Sequence, residues 1–183
     1  QFFIDNDWSI VSGLAYGCDA IAHQTAIAAR GHTVAVLAHG LQTIAPANHR
    51  DLAQAILDTG GALVSQYPFG RTAIPQQFAQ RDLTQAGLAR GVVMIQSDLT
   101  GGSLHASRAA LKYNRWLAIP FPTETDRSGE YSLKVQANMM LAEGTAQQKM
   151  DLLKCKDAAA LSKIVILRSR EDYSGLLMKI SIA

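Results

Sequence analysis

The stretch SGLAYGCDAIAH, residues 12–23, contains the features that decide the fold. It begins where an apolar run ends, Gly17 permits a tight turn, and an alanine-rich segment of helical pattern follows. Asp19 stands near the start of that segment, where an acidic side chain is well suited to cap a helix. The stretch therefore predicts the strand–turn–helix unit of an α/β protein.

Apolar segments of strand length recur along the chain, separated by segments of helical pattern. The predicted strands are 9–13, 33–38, 62–67, 91–97 and 116–121, and the predicted helices are Asp19–Arg30, Arg50–Leu57, Gln76–Ala89 and Ser103–Tyr113. The strands are apolar almost throughout, which indicates burial on both faces. The alternation predicts an α/β fold with a doubly wound, mostly parallel, Rossmann-like sheet in three αβα layers. After a long loop at residues 122–131, one more helix is predicted from Leu133 to about Leu153.

Composition sets the broad class. The 183 residues suffice for one domain with a full core, and 48% hydrophobic and 17% charged residues are typical of globular proteins. The two cysteines, Cys18 and Cys155, fit neither a disulfide framework nor metal-ligand spacing, so no metal site and a reducing cytoplasm are expected. The absence of a membrane-length apolar run and of a signal peptide predicts no membrane association. A net charge of +2 permits a nucleic-acid partner without arguing for one.

The two ends of the chain can be joined into one structural unit. The tail predicts a strand at 164–167, a polar turn and an amphipathic helix, whereas the head predicts the end of a helix entering a strand. Across a tail-to-head junction the apolar positions keep helical spacing. The sequence therefore predicts a single domain, residues 1–183, in which residues 163–183 supply the first strand and helix beside residues 1–13, as in a circular permutation. An unrelated C-terminal appendage is the alternative.

Candidate binding residues lie in the turns that follow the predicted strands. In an open parallel sheet, ligands bind beyond the carboxyl ends of the strands, where helix N-termini present free N–H groups. The first turn offers a hydroxyl and two glycines, the turn after residue 97 offers two glycines and a serine before a basic helix, and the helix after residue 75 offers an arginine. The predicted phosphate-binding residues are Ser12, Gly13, Gly17, Arg81, Gly101, Gly102, Ser103, Arg108 and Lys112. A glycine turn with no ligand, or a solvated helix face, is the plain structural alternative for each.

The sequence contains no recognisable catalytic constellation. Cys18 and His23 share the start of one helix, but five residues apart they do not face each other, and no third group orients them. The triphosphate-binding GxxxxGK[ST] and the dinucleotide-binding GxGxxG are both absent. We therefore expect a binding protein with no catalytic residue and no cofactor.

Taken together and in this order, these stretches resemble the DNA-processing protein A (DprA, also called Smf) family of Rossmann-like proteins. The family's SGLAxGID…H signature is matched at residues 12–23, its next strand and glycine-leucine loop at 34–50, its arginine helix at 78–97, and its phosphate-facing turn at 100–120. The tail's Arg168-Ser169-Arg170 resembles the Gly-Ser-Arg of the family's first strand, which supports the permutation.

The resemblance implies a single-stranded DNA-binding protein that protects DNA and loads a RecA-type recombinase during transformation and recombination. It also implies a homodimer. Arg81, Ser103, Ser169 and Arg170 would hold phosphate in one pocket at the carboxyl edge of the sheet, and Ser12 would shape its floor. The ring of Phe69 or Tyr67 is a candidate stacking face for bases, with packing inside the loop as the alternative.

Several positions depart from the family pattern. Arg81-Asp82-Leu83 stands where Arg-Asn-Arg is usual, Tyr16 replaces a common basic residue, and Arg168 stands where glycine is usual, which together favour a divergent branch. TGGSLHA lacks the catalytic glutamate of the related LOG nucleotide hydrolases, so N-glycosidic cleavage is not expected. Because the positive charge is small, a nucleotide-binding sensor or nucleotide-processing enzyme that uses the same pocket remains the alternative function.

Overall fold

The computed structural model describes residues 1–181 and divides the chain into two compact units, Gln1–Leu88 and Ala89–Ala183. The first unit contains three strands and three α-helices in alternating order. They are β1 (Ile10–Ser12), α1 (Cys18–Ala28), β2 (Thr33–Leu37), α2 (Arg50–Asp58), β3 (Ala62–Ser65) and α3 (Pro75–Leu88). The strands form a parallel sheet in the order β1-β2-β3, in which Val11 pairs with Val34 and Ala35 with Leu63.

The core of the first unit surrounds the central strand. Ala35 and Leu37 of β2 are buried together with Ala53 and Ile56 of α2, and Leu14 from the loop after β1 completes the cluster. Alternate residues of β2 face opposite sides of the sheet, yet nearly all of the strand is buried, as the uninterrupted apolar sequence predicts. This packing fixes the positions of the strand ends and therefore of the loops that leave them.

The second unit has its own parallel sheet, in the order β4-β5-β6. Its elements are β4 (Gly91–Val93), α4 (Ser103–Lys112), β5 (Trp116–Pro120), α5 (Gln136–Glu143), α6 (Ala146–Leu153), β6 (Ile164–Leu167) and α7 (Asp172–Ser181). The central strand β5 is buried between its neighbours, and its Leu117 and Ile119 pack with Leu104 of α4 and Leu141 of α5.

The α/β class with parallel strands is confirmed, but the helix predicted from Leu133 to about Leu153 is wrong. A 3-10 helix at Gly129–Val135 leads into α5, and α5 and α6 are separate helices. Thr145 forms a capping box with Gln148: its hydroxyl accepts from the Gln148 N–H at 3.2 Å, and Gln148 Oε1 accepts from the Thr145 N–H at 2.8 Å. This reciprocal cap starts a new helix after the extended backbone of Gly144.

The tail forms the strand and helix expected from its sequence. β6 pairs with β5 in parallel, with Val165 beside Ala118, and α7 follows after a four-residue polar turn. Residues 182 and 183, which belong to the predicted tail segment, lie outside the described residues. The prediction that residues 163–183 lie beside residues 1–13 in a single domain involves both units and stays a prediction.

Candidate nucleic-acid interface

In each unit the loops that follow the strands leave from one edge of the sheet, because all strands of that sheet are parallel. In the first unit these are the loops at 13–17, 38–46 and 66–74, and in the second unit the loops at 94–102, 121–128 and 168–171. The sequence-predicted site residues are distributed over both edges.

The loop after β1 is closed by the carboxylate of Asp19. Ser12 Oγ donates to Asp19 Oδ1 at 2.5 Å, and the Ala15 N–H donates to Asp19 Oδ2 at 3.1 Å. The predicted N-cap role of Asp19 is wrong, because Gly17, with a φ of 82°, holds that position and Asp19 lies in the first turn of α1. The carboxylate therefore satisfies the loop in front of the helix, and the Ser12 hydroxyl is already engaged with it.

The guanidinium of Arg81 lies inside the first unit. Only 7% of Arg81 is exposed, its Nη1 donates to the Val36 carbonyl at 3.0 Å, and its Nε donates to Asp82 Oδ1 at 3.1 Å. Its guanidinium fills the space where a β-carbon on Gly13 would stand, so Gly13 is required by this close approach. The structure thus brings Arg81 to the predicted loop, but as a structural group with its donors directed at protein oxygens.

His49 is a further support of this loop that the sequence did not reveal. Its Nδ1 donates to the Leu14 carbonyl at 2.8 Å, and the ring of Tyr16 packs edge-on against its imidazole with 4.7 Å between ring centroids. Leu14 is fully buried with a φ of 74°, a left-handed conformation that a non-glycine residue adopts only when surrounding contacts hold it. A histidine before a helical segment was the one available signal, and it did not identify a partner 35 positions away.

His23 is buried beneath the same loop and is uncharged at neutral pH. The Thr33 hydroxyl donates to the Ile10 carbonyl at 3.1 Å, so it accepts the hydrogen bond from His23 Nδ1 at 2.7 Å. Burial lowers the pKa of His23 from its usual 6.5 to about 4, with a further lowering from His49 and an opposing effect of Asp19. Its role is to tie α1 to β1 and β2 rather than to meet a ligand.

Exposed aromatic rings surround the loops of the first unit. Phe69 is 82% exposed, Tyr16 is 64% exposed, and Phe78 at the start of α3 is about half exposed. Tyr67, the other stacking candidate, donates its hydroxyl to the Gln77 carbonyl at 3.2 Å and is held in its loop. Phe69 therefore offers a free ring face to solvent.

The loop that carries Phe69 is braced by Gln42 from the neighbouring loop. The Gly70 N–H donates to Gln42 Oε1 at 2.8 Å, and Gln42 Nε2 donates to the Arg71 carbonyl at 3.2 Å. The Gly40 N–H donates to the same Arg71 carbonyl at 2.8 Å. These bonds fix the backbone that directly follows Phe69.

In the second unit, the turn before α4 is the most open of the predicted stretches. Asp98 Oδ1 accepts from the N–H and the hydroxyl of Thr100, at 2.7 and 2.9 Å, and these bonds lower the pKa of Asp98. Within residues 1–181, the N–H groups of Gly102 and Ser103 have no hydrogen-bond acceptor. Two free amides at a helix N-terminus are suited to an anion.

The turn after β6 presents exposed cations at the same sheet edge. Arg168, Ser169 and Arg170 are all exposed, and the N–H groups of the first two donate to Asp172 Oδ2 at 2.7 and 2.9 Å. These bonds lower the pKa of Asp172 and hold the turn in shape. Because β4 and β6 flank β5, their strand ends are two inter-strand spacings apart, about 10 Å.

An aromatic ring orders two of the guanidiniums near this edge. Phe121 directly follows β5, and the guanidinium of Arg168 lies over its ring at 4.1 Å, with that of Arg127 at 5.4 Å. Such cation–π contacts do not use the N–H donors of an arginine. The Nε of Arg127 also donates to the Thr123 carbonyl at 3.4 Å. Arg127 was not predicted as a site residue, since it stands in a polar loop with no recognisable motif.

Arg108 and Lys112 follow the turn in the middle and at the end of α4. Arg108 Nε donates to the Leu152 carbonyl at 3.0 Å, which links α4 to α6. Lys112 ends α4, nine residues after Ser103, and is therefore about 14 Å farther along the helix axis. Lys112 thus stands at the opposite end of a ten-residue helix from Ser103, and the phosphate-binding role of Arg108 and Lys112 stays a prediction.

Among residues 1–181, no group of three or more His, Cys, Asp or Glu side chains is arranged to hold a metal ion. Neither Cys18 nor Cys155 forms a disulfide, and partial burial raises the pKa of Cys155. None of the described helices combines the length and apolar character needed to cross a bilayer.

Comparison with known families agrees with the motifs. The sequence profile of the DNA recombination-mediator protein A family matches residues 1–154. The chain belongs to this family. Among curated members, Protein Smf of Escherichia coli is 38% identical over 137 residues, which are 74% of this chain and 37% of that protein. DNA processing protein DprA of Bacillus subtilis is 35% identical over 62% of this chain and 38% of its own length. The chain thus spans less than half the length of these relatives.

Solved structures of family members share the fold. DprA of Streptococcus pneumoniae matches with a TM-score of 0.60 and 27% identity, over 76% of this chain and 52% of that one. DprA of Helicobacter pylori, described for its single-stranded DNA-binding mode, matches with a TM-score of 0.70 and 23% identity, over 97% of this chain and 69% of that one. The second match is wide enough to include most of residues 155–183, which lie beyond the profile match.

Proposed function

We propose that this chain binds single-stranded DNA, with the exposed turns of the second unit holding phosphate. One observation carries this proposal. The free amides of Gly102 and Ser103 and the exposed cations of Arg168 and Arg170 lie at the same edge of the sheet. Phosphate oxygens are suited to both kinds of donor. Membership of the recombination-mediator family and the fold shared with the DNA-binding Helicobacter protein support the polymer as ligand.

The first unit would contribute to base stacking. Phe69 is the most exposed large apolar side chain among the described residues, and Gln42 braces the backbone that follows it. Stacking on an aromatic ring contributes about 1–3 kcal/mol per base and tolerates any sequence. The site therefore predicts affinity for single strands with little sequence preference.

The electrostatic contribution is expected to be small. Acidic side chains share the second unit's sheet edge with the arginines: Asp98, Asp126, Glu171 and Asp172. For single strands, log K falls with log salt by about 0.7 for each neutralised phosphate. With two or three phosphates held, we expect a slope of roughly −2. This small charge is the observation that favours a single nucleotide as the alternative ligand.

A salt titration of DNA binding separates these two ligands. Fluorescence anisotropy of labelled oligo(dT) should give a log–log slope near −2, with thymidine monophosphate competing only at far higher concentration. A slope close to zero, together with tight binding of the mononucleotide, would replace this proposal with that of a nucleotide sensor or nucleotide-processing enzyme. Absence of binding to both ligands would exclude both functions.

The wider role is proposed from the family alone. We infer that the chain acts without catalysis, hands bound DNA to a RecA-type recombinase, dimerises with a second copy and works in the cytoplasm. Membership of the mediator family supports this inference. The single pocket predicted from Ser12, Arg81, Ser103 and Arg170 combines residues of both units and stays a prediction.

A further inference from the structure

Asn138 in α5 is buried, with 1% of the residue exposed, and its carboxamide is fully used. Its Oδ1 accepts from the Ser97 N–H at 3.0 Å, and its Nδ2 donates to the carbonyls of Ile95 and Pro120 at 2.9 and 3.2 Å. One side chain thus joins the segment after β4 to the end of β5. These are the neighbouring strand ends from which two loops of the candidate interface leave.

Ser97 is held on both sides of its peptide backbone. While Asn138 accepts its N–H, the N–H of Ala137 donates to the Ser97 carbonyl at 3.0 Å. The Ser97 hydroxyl in turn donates to the Asp98 carbonyl at 2.8 Å and lies where a side chain on Gly101 would stand. The phosphate-facing turn is therefore built directly on a residue that α5 fixes.

We propose that Asn138 is a positioning residue for phosphate binding, because it sets the turn at residues 98–103 against the end of β5. This inference rests on the proposed function of that turn. Asn138 itself would not touch the phosphate. Its effect passes through Ser97 to the free amides of Gly102 and Ser103.

The chemistry of the position requires a carboxamide. An asparagine side chain supplies an acceptor and two donors from one planar group, which matches one N–H and two carbonyls. Aspartate keeps the acceptor but has no donor when ionised, and leucine keeps the size but removes the partner of the buried Ser97 N–H and of two part-buried carbonyls. Loss of these bonds should release the turn even when the helices of the unit remain folded.

The test compares Asn138→Leu and Asn138→Asp with Leu141→Ala, which removes a fully buried side chain one turn later in the same helix. Leu141 packs in the core cluster, so its loss lowers stability without removing a bond to Ser97. All variants are measured where circular dichroism shows them folded. The readouts are amide hydrogen exchange at residues 97–103 and the affinity for labelled oligo(dT).

We expect exchange at 97–103 to accelerate about tenfold in Asn138→Leu and to accelerate less in Asn138→Asp, with Leu141→Ala close to wild type in that segment. Affinity for oligo(dT) should fall in the same order, by about tenfold for Asn138→Leu. Unchanged exchange in both Asn138 variants, or equal effects of Leu141→Ala, would overturn the inference. Faster exchange at residues 97–103 in the Asn138 variants, together with wild-type affinity for oligo(dT), would also overturn it.

The wild-type protein separates this inference from the proposed function. If it fails to bind oligo(dT), the proposed function is wrong, and the exchange result alone decides whether Asn138 holds the turn. If Asn138→Leu does not fold, Asn138→Asp gives a weaker form of the comparison, since it keeps the bond to the Ser97 N–H and loses the bonds to the carbonyls of Ile95 and Pro120.

Discussion

Each unit has a glycine turn with an arginine nearby, but the arginine is buried in the first unit and exposed in the second. In the first unit, the arginine nearest the glycine turn is Arg81, and it is buried with its donors directed at Val36 and Asp82. In the second unit, Arg168 and Arg170 are exposed beside a turn with two free amides. The comparison shows that an arginine near a glycine turn in sequence is available to a ligand only if protein oxygens have not already taken its donors.

The largest expected effect tests the structural role of Arg81. Arg81→Leu leaves Asp82 and the Val36 carbonyl without this partner and empties the space against Gly13, so unfolding free energy should fall by about 3 kcal/mol. Denaturant titration measures the change. Wild-type stability combined with weakened DNA binding would show instead that Arg81 contacts DNA directly and that the two units do not differ in this way.

Acid should destabilise the first unit through His23. Because burial lowers the pKa of His23 to about 4, the unfolded chain binds the proton first, and stability falls as the pH drops from 6.5 toward 4 by about 3 kcal/mol. His23→Asn, which retains a donor for Thr33, should lose this part of the pH dependence. The exposed His32→Asn is the control and should keep it; equal pH profiles for both variants would contradict the account.

A methyl group distinguishes the two glycines of the first loop. Gly13→Ala would press against the guanidinium of Arg81 and the carboxylate of Asp19, with an expected loss of about 2 kcal/mol. Gly17→Ala meets open space, so only its backbone is strained: a φ of 82° with a ψ of −125° lies outside the αL region, at a cost of about 1–3 kcal/mol. Thermal or denaturant unfolding measures both losses, and wild-type stability of Gly13→Ala would remove the argument for close Arg81 packing.

A smaller effect concerns bases rather than phosphates. Phe69→Ala should weaken oligo(dT) binding about tenfold, because a stacked base contributes about 1–3 kcal/mol. Tyr113→Ala is the matched control, since this exposed aromatic follows the last turn of α4, where the chain returns to the amino end of β5. Anisotropy titrations at fixed salt compare them. Equal losses in both variants would leave the exposed ring of Phe69 without a role.

Local sequence patterns predicted most of the fold. Apolar runs identified all six described strands, including β6 in the tail, because strands buried on both faces leave a plain hydrophobic signal. The break between α5 and α6 was missed, since the pairing of Thr145 with Gln148 is a side-chain cap inside a continuous helical pattern.

The candidate site was less predictable. Gly101–Ser103 and Ser169–Arg170 do lie at one sheet edge, because strand direction alone places them there. Arg81 bonds to Val36, and Asn138 bonds to Ser97, in each case more than 40 positions away in the sequence. Such contacts have no local signal, and they decide which cations are free.

The most direct test of the account removes the exposed arginines and measures the salt dependence of binding. In Arg168→Ala/Arg170→Ala the slope of log K for oligo(dT) against log salt should become shallower by about 1.4, the contribution of two phosphates. In the control Lys154→Ala/Lys156→Ala, which removes two exposed lysines elsewhere in the second unit, the slope should stay at the wild-type value. Equal changes in the two double variants would contradict the assignment of phosphate binding to this edge.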